Sequence, residues 1–331
     1  MELRKDYILD NYVIVAENRN KRPFDFKKTN NFKVTEPYDK NCPFCYGNES
    51  QTTVEIGRIE DKKNYPDYPW VMKWVKNLFP LVEENGKTEI TTDNDFFTYA
   101  NPVGEHYIVI ETPKHNEFLW DFDGRRIGML FRSFSQIILE LNAKPETKYT
   151  LAFKNNGPEA GTSLEHSHSQ VISFNHIPLR IKNEHVKFNE YKEKSGSCAF
   201  CDIIKKETNS YRSVSESENF ISFTPYASRF PLEVWVFPKI HMKSITQLTS
   251  EKMEELGFFI KPILMKLKEL NASYNFYIHD IANGADDFHF HIEICPRLSK
   301  FGGIELNETY ANVISPEKAA EFYRGDINLK L

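Results

Sequence analysis

Two histidines one residue apart, His166 and His168 in "LEHSHSQ", are followed two positions later by Gln170. In an extended segment residues i and i+2 share a face, so the two imidazoles and the amide would be neighbours in space. Such a set permits two kinds of chemistry. An imidazole can ligate a metal, or it can serve as a nucleophile, a general base or a hydrogen-bonding group. A glutamine N–H can donate to a non-bridging phosphoryl oxygen and stabilise charge as the phosphorus becomes five-coordinate. Four of the five cysteines also fall in pairs, Cys42 and Cys45 in "NCPFCYGN" and Cys198 and Cys201 in "SCAFCDII". In a reducing compartment a Cys-x-x-Cys is more often a metal knuckle or a redox pair than a structural disulfide. Pro43 and Gly47 suggest the tight turn of a knuckle rather than the strand-to-helix junction of a redox site.

The elements that must position these residues occur twice. "EHYIVIETPKHNEF" and "LEVWVFPKIHMKSI" are alternating strands that end in Pro-Lys and then a histidine, His115 or His241. Each is followed by a segment of helical periodicity closing on Glu-Leu-Asn-Ala, then by a further strand, a loop and a His-x-His: His166 and His168, or His289 and His291. The repeat supplies two tetrahedral Cys₂His₂ sets with no open position, the pattern of structural zinc. We assign Cys42, Cys45, His115 and His166 to one ion and Cys198, Cys201, His241 and His289 to the other. The alternative is that the histidines are strand-end residues bonded to backbone. Eight residues recurring in one order favour the metal.

With His166 on zinc, His168 stays free beside it, with Gln170 on the same face. In the second half the matching places hold His291 and Glu293. A carboxylate would repel a phosphate, so that half reads as a degenerate copy. The expected fold is α+β, two tandem histidine-triad-like halves, each an antiparallel sheet with a packed helix and one structural zinc. The lysine-rich stretch 182–197 reads as an exposed helix and linker and puts the boundary near residue 190, with a catalytic half over 1–190 and a degenerate half over 191–331.

Composition bounds the function. The chain has 331 residues, 40% hydrophobic and 14% aromatic, enough for one large or two ordinary cores. A net charge of -5 with no basic stripe argues against nucleic acid. No apolar run has the ~18 residues of a membrane span, and the N-terminus lacks a signal-peptide core. A soluble cytoplasmic protein is expected. Cys295 reads as a small packing residue, Trp70 and Trp74 at helical spacing as core or interface, and Arg297 as either a surface arginine or a contact for a sugar phosphate.

The segments "NRNKRPFDF", "NCPFCYGNE", "VKNLFPL", "IVIETPKH", "NNGPEAGTSLEHSHSQ" and "FHFHIEICPR" occur in an order that resembles the galactose-1-phosphate uridylyltransferase branch of the histidine-triad superfamily, over nearly the whole chain. The resemblance implies a ping-pong nucleotidyltransferase in which His168 attacks the α-phosphorus of a nucleotide sugar and Gln170 is its phosphate partner. It also implies Arg19 and Arg22 near phosphate, Asn77 to Pro80, including Phe79, near base or ribose, and Asn156, Gly161 and Ser163 around the phosphate loop. The family's usual motif is His-Pro-His-Gly-Gln. Here Ser167 and Ser169 replace proline and glycine, and the second serine, like the second Cys-x-x-Cys, is similar to the ADP-glucose phosphorylase branch. The cysteines make a carboxylate at Glu184 unnecessary for metal, and Glu184 reads as a solvated surface residue. The resemblance implies a UDP-glucose:hexose-1-phosphate uridylyltransferase, two structural zinc ions, sugar 1-phosphate or phosphate as acceptor and a homodimer. The alternatives are ADP-glucose phosphorolysis by inorganic phosphate, a histidine-triad hydrolase, or a zinc-stapled binding module.

Overall fold

A computed structural model describes residues 1–5, 12–15 and 36–329. Arg19 and Arg22 therefore lie outside the described residues. In chain order the strands are β1 (Glu2–Lys5), β2 (Tyr12–Val15), β3 (Glu55–Ile59), β4 (Met72–Lys76), β5 (Thr91–Asp93), β6 (Phe97–Ala100), β7 (His106–Ile110), β8 (Tyr149–Asn156), β9 (His168–Phe174), β10 (Ser213–Glu216), β11 (Phe220–Phe223), β12 (Val234–Pro238), β13 (Tyr274–His279) and β14 (His291–Pro296). The α-helices are α1 (Gly124–Asn142), α2 (Leu179–Ser195), α3 (Ala199–Glu207), α4 (Ser250–Glu269) and α5 (Pro316–Arg324).

Ten strands form one antiparallel sheet in the order β10-β11-β12-β14-β13-β8-β9-β7-β4-β3. Read from either edge inward, the order is the same under the sequence repeat: β7 answers β12, α1 answers α4, β8 answers β13 and β9 answers β14. The two halves meet where β13 pairs β8, Tyr274 opposite Asn156 and Tyr277 opposite Phe153. The halves thus share a single sheet, and the boundary expected near residue 190 falls within α2. A small sheet, β2-β1-β6-β5, stands apart.

Both long helices lie on one face. Helix α1 buries Ile127, Leu130, Phe131, Phe134, Ile137, Ile138 and Leu141, a stripe at three- and four-residue spacing, and Asp123 caps it by accepting the Arg126 N–H at 2.9 Å. Helix α4, capped by Thr249, presents Leu256, Ile260, Ile263, Leu264 and Leu267. These stripes meet Tyr107, Val109, Ala152, Val171, Phe276, Ile278 and Ile292 from the sheet in the main core. Alternation along the strands sends His168 and Gln170 to the opposite face from Val171.

Trp70 and Trp74 are buried as expected, but Trp74 belongs to strand β4 rather than to a helix. Pairing with β3 on one side and β7 on the other makes this segment a strand. Cys295 is buried in β14. Among the described residues no helix is long and apolar enough to cross a membrane.

Candidate active site

His168 opens β9 opposite Ile110 of β7, and Gln170 lies opposite Ile108. The segment before the strand carries His166, which turns its ring to the cysteine knuckle. Its Nδ1 lies 3.6 Å from Cys42 Sγ and 3.7 Å from Cys45 Sγ, and His115 Nδ1 lies 3.4 Å from Cys45 Sγ. In the second half His241 Nδ1 and His289 Nδ1 lie 3.4 and 3.5 Å from Cys201 Sγ. In each set of four the ligand atoms lie within 4.8 Å of one another. A tetrahedral zinc with ordinary Zn–S and Zn–N bonds requires sulfur–nitrogen edges of about 3.5 Å, so both donor sets fit that ion.

The far ring nitrogens are anchored as metal-bound imidazoles require. His166 Nε2–H donates to the Thr112 carbonyl at 2.8 Å, His289 Nε2–H to the Pro238 carbonyl at 3.0 Å, and His241 Nε2 pairs with Asp287 at 2.8 Å. Each leaves Nδ1 free for the metal. The hydrogen bond from Cys42, joined by His115 and His166, holds the Cys45 thiol far below its usual range, toward the thiolate. Burial pushes His289 down to about 3 and keeps it neutral.

His168 has a different environment. Its Nδ1–H donates to the His166 carbonyl at 2.8 Å, so its Nε2 carries the lone pair. Burial holds its pKa down to about 4, and the ring is neutral at pH 7. It lines an open cleft with Gln170, Phe44, Asn77, Phe79 and Ser163. The Phe44 ring packs on His168 at 5.3 Å between centroids.

The other expected residues are placed less directly. Asn156 is buried at the end of β8 with its Nδ2 unpartnered, and Gly161, at φ +83, ends the short turn of Pro158–Ala160. A side chain at Gly161 would be strained, which ties this loop to glycine. Arg297 lies away from the residues lining the cleft, its guanidinium 5.0 Å from the Phe230 ring and 4.8 Å from Phe301.

Glu184 corrects the sequence expectation. It is half-buried on α2, bonded to His279 Nδ1 at 2.8 Å and paired with Arg180 at 3.1 Å, because α2 folds back over the second half. That half has no open counterpart of His168 in the described residues. His291 is stacked against Phe237 and His279 at 4.6 Å, with Phe200 tilted against it at 4.9 Å. Glu293 is fully buried, accepting from Tyr277 and ion-paired with Arg229 and, at 3.0 Å, Arg180.

Three contributors escape a linear reading. On the helix side of β9, Ser167 and Ser169 both donate to Glu111, which is also 2.8 Å from Lys154 Nζ. Lys154 further donates to the His168 carbonyl at 3.2 Å. His106 Nε2 meets Gln170 Oε1 at 3.0 Å. A charged pair in otherwise apolar strands, "IVIET" and "LAFKN", was the available signal for the first two.

Residues 1–178 match the family described as galactose-1-phosphate uridyl transferase, N-terminal domain, and residues 184–305 match its C-terminal domain. The ADP-glucose phosphorylase of Arabidopsis thaliana is 32% identical over 98% of this chain and 92% of its own. The galactose-1-phosphate uridylyltransferase of Thermotoga maritima is 27% identical over 98% of each. A crystal structure of an Arabidopsis thaliana ADP-glucose phosphorylase with bound ADP-glucose superposes with a TM-score of 0.76 at 30% identity, covering 100% of both chains.

Proposed function

The chain belongs to the galactose-1-phosphate uridylyltransferase family, and from that premise we propose that it transfers a nucleotidyl group from a nucleotide sugar through a covalent bond to His168 Nε2. One observation carries the reading: a buried, neutral imidazole lines the cleft beside Gln170 with Nδ1–H committed to the His166 carbonyl. The Nε2 lone pair forms a bond to the α-phosphorus. The bond from phosphorus to the sugar 1-phosphate oxygen breaks, and that oxygen leaves with its electron pair. An acceptor oxygen then attacks the phosphorus, and the P–N bond breaks back to the imidazole. As positive charge grows on the ring, the His166 carbonyl stabilises it through Nδ1–H. Gln170 donates its amide N–H to the phosphoryl oxygen as negative charge develops there.

The two Cys₂His₂ sets hold zinc in this reading. When bound, the ion supplies a closed structural staple with no catalytic position. His166 and His168 then have separate jobs, one fixing the strand end and the other reacting.

The acceptor is a sugar 1-phosphate, as in the uridylyltransferases. Adenylyl transfer from ADP-glucose to inorganic phosphate is the second reading, favoured by the Ser169 substitution, the second Cys₂His₂ set and the Arabidopsis relative. Intact-protein mass after brief mixing with UDP-glucose or ADP-glucose, without acceptor, tests both. We expect one nucleoside monophosphate on the wild-type chain and none on His168→Asn, with equal zinc content in the two proteins. The base carried by the adduct separates uridylyl from adenylyl transfer. Loss of zinc in His168→Asn would overturn the division of labour between the histidines.

A further inference from the structure

Gln170 can stabilise a phosphoryl oxygen only if its NH₂ rather than its carbonyl faces the cleft, and a free carboxamide has no strong preference between the two. His106 breaks that symmetry. It lies on β7 beside Ile108, the residue opposite Gln170, and is buried. Its Nδ1 is 3.3 Å from the Leu81 main-chain nitrogen. A main-chain N–H can only donate, so Nδ1 accepts and the ring proton sits on Nε2. That Nε2–H is 3.0 Å from the Gln170 side-chain oxygen. A flipped amide would set NH₂ against N–H, two donors face to face in a buried site.

The same ring gathers the wall of the cleft. The Asn77 main-chain N–H donates to the His106 carbonyl at 2.7 Å, and Asn77 Oδ1 accepts the Phe79 N–H at 2.9 Å, which turns the Asn77 Nδ2 to the ring, 3.5 Å from Nδ1 and 3.3 Å from Nε2; with the proton on Nε2, only Nδ1 can accept from it. The segment from Asn77 to Leu81 is therefore pinned to the residue that orients Gln170.

We infer that His106 is a positioning residue that fixes the Gln170 amide with its NH₂ toward the reacting phosphoryl group and couples that orientation to the Asn77–Leu81 wall. The role rests on the reaction proposed for His168, and it is separable from it by experiment. In long-range ¹⁵N–¹H spectra of the wild-type protein, the His106 ring is expected as the Nε2–H tautomer. The Nδ1–H tautomer would overturn the inference whatever the enzyme catalyses.

The rate of adduct formation from the nucleotide sugar that labels His168 supplies the second readout. His106→Ala is expected to slow it about tenfold, with half-saturation changed less than about threefold, and Gln170→Ala to slow it at least as much. Adding His106→Ala to Gln170→Ala should then cost less than about twofold, because the group it positions is gone. Equal slowing in both backgrounds would make His106 a structural residue only. Failure of the wild-type protein to form any adduct would instead refute the proposed reaction, leaving the tautomer to decide the hydrogen-bond geometry.

Discussion

Ser167 and Ser169 flank His168 in sequence but turn to the other side of the sheet, where both reach Glu111. Their departure from proline and glycine is thereby explained: a buried carboxylate paired with Lys154 needs further donors, and two hydroxyls supply them. The gathering of eight Cys and His residues into two sets was legible because each belongs to a short motif repeated in order, and the placing of Gln170 beside His168 followed from strand alternation. Glu111, Lys154 and His106 were not, since their partners come from neighbouring strands and depend on register. Asp280, just beyond β13, is another such residue. Burial raises its carboxyl to about 7, against the opposing effect of donation from Ile281 N–H and Ser244 Oγ, with Tyr149 the titratable group facing it. The folded chain then keeps this proton while the unfolded chain loses it near pH 4. This contribution to stability is complete below that pH and is lost as pH rises toward 7, by at most ~1.4 kcal/mol per unit. Asp280→Asn, which mimics the neutral acid, should gain on the wild type in Tm between pH 5 and 7.5. A difference that does not vary with pH would refute the assignment.

Helices α1 and α4 were legible as amphipathic repeats, but their contact with each other was not. They cross where three glycines face: a Cβ on Gly257 would lie 2.0 Å from the Gly124 carbonyl oxygen and 2.4 Å from the Gly128 nitrogen. Backbone meets backbone there, so no side-chain rotation relieves a methyl group. Gly257→Ala should cost about 1–3 kcal/mol through overpacking, more than the gain in helix propensity, and lower the denaturation midpoint. The adduct rate per folded molecule should stay unchanged, because the seam lies on the sheet face away from His168. The short strands were the least legible elements. β5 has three residues, all exposed, and carries no alternation for a reader to find.

At the scale of the molecule, the order of the repeat was legible, whereas the merging of its halves into one sheet was not, because no local pattern says which edges meet. The two Cys₂His₂ sets are then unequal in consequence although alike in residues. The first ties the knuckle to the segment that ends in His168, and the second staples the filled half. Cys42→Ser should lower both thermal stability and adduct rate, whereas Cys198→Ser should lower stability with adduct rate within about twofold. Equal losses of rate would mean that the second site acts on the chemistry. The joining of β8 to β13 also bears on how the chain is made. As the ribosome extends it, β8 can pair with β9 soon after both emerge, but its other edge waits for β13, which at about 5–20 residues per second takes on the order of ten seconds. An open edge invites a wrong partner, and charged side chains pointing inward from an edge strand discourage one. Lys154 is such a side chain, so the open edge of β8 carries an inward-pointing charge until its mate is synthesised.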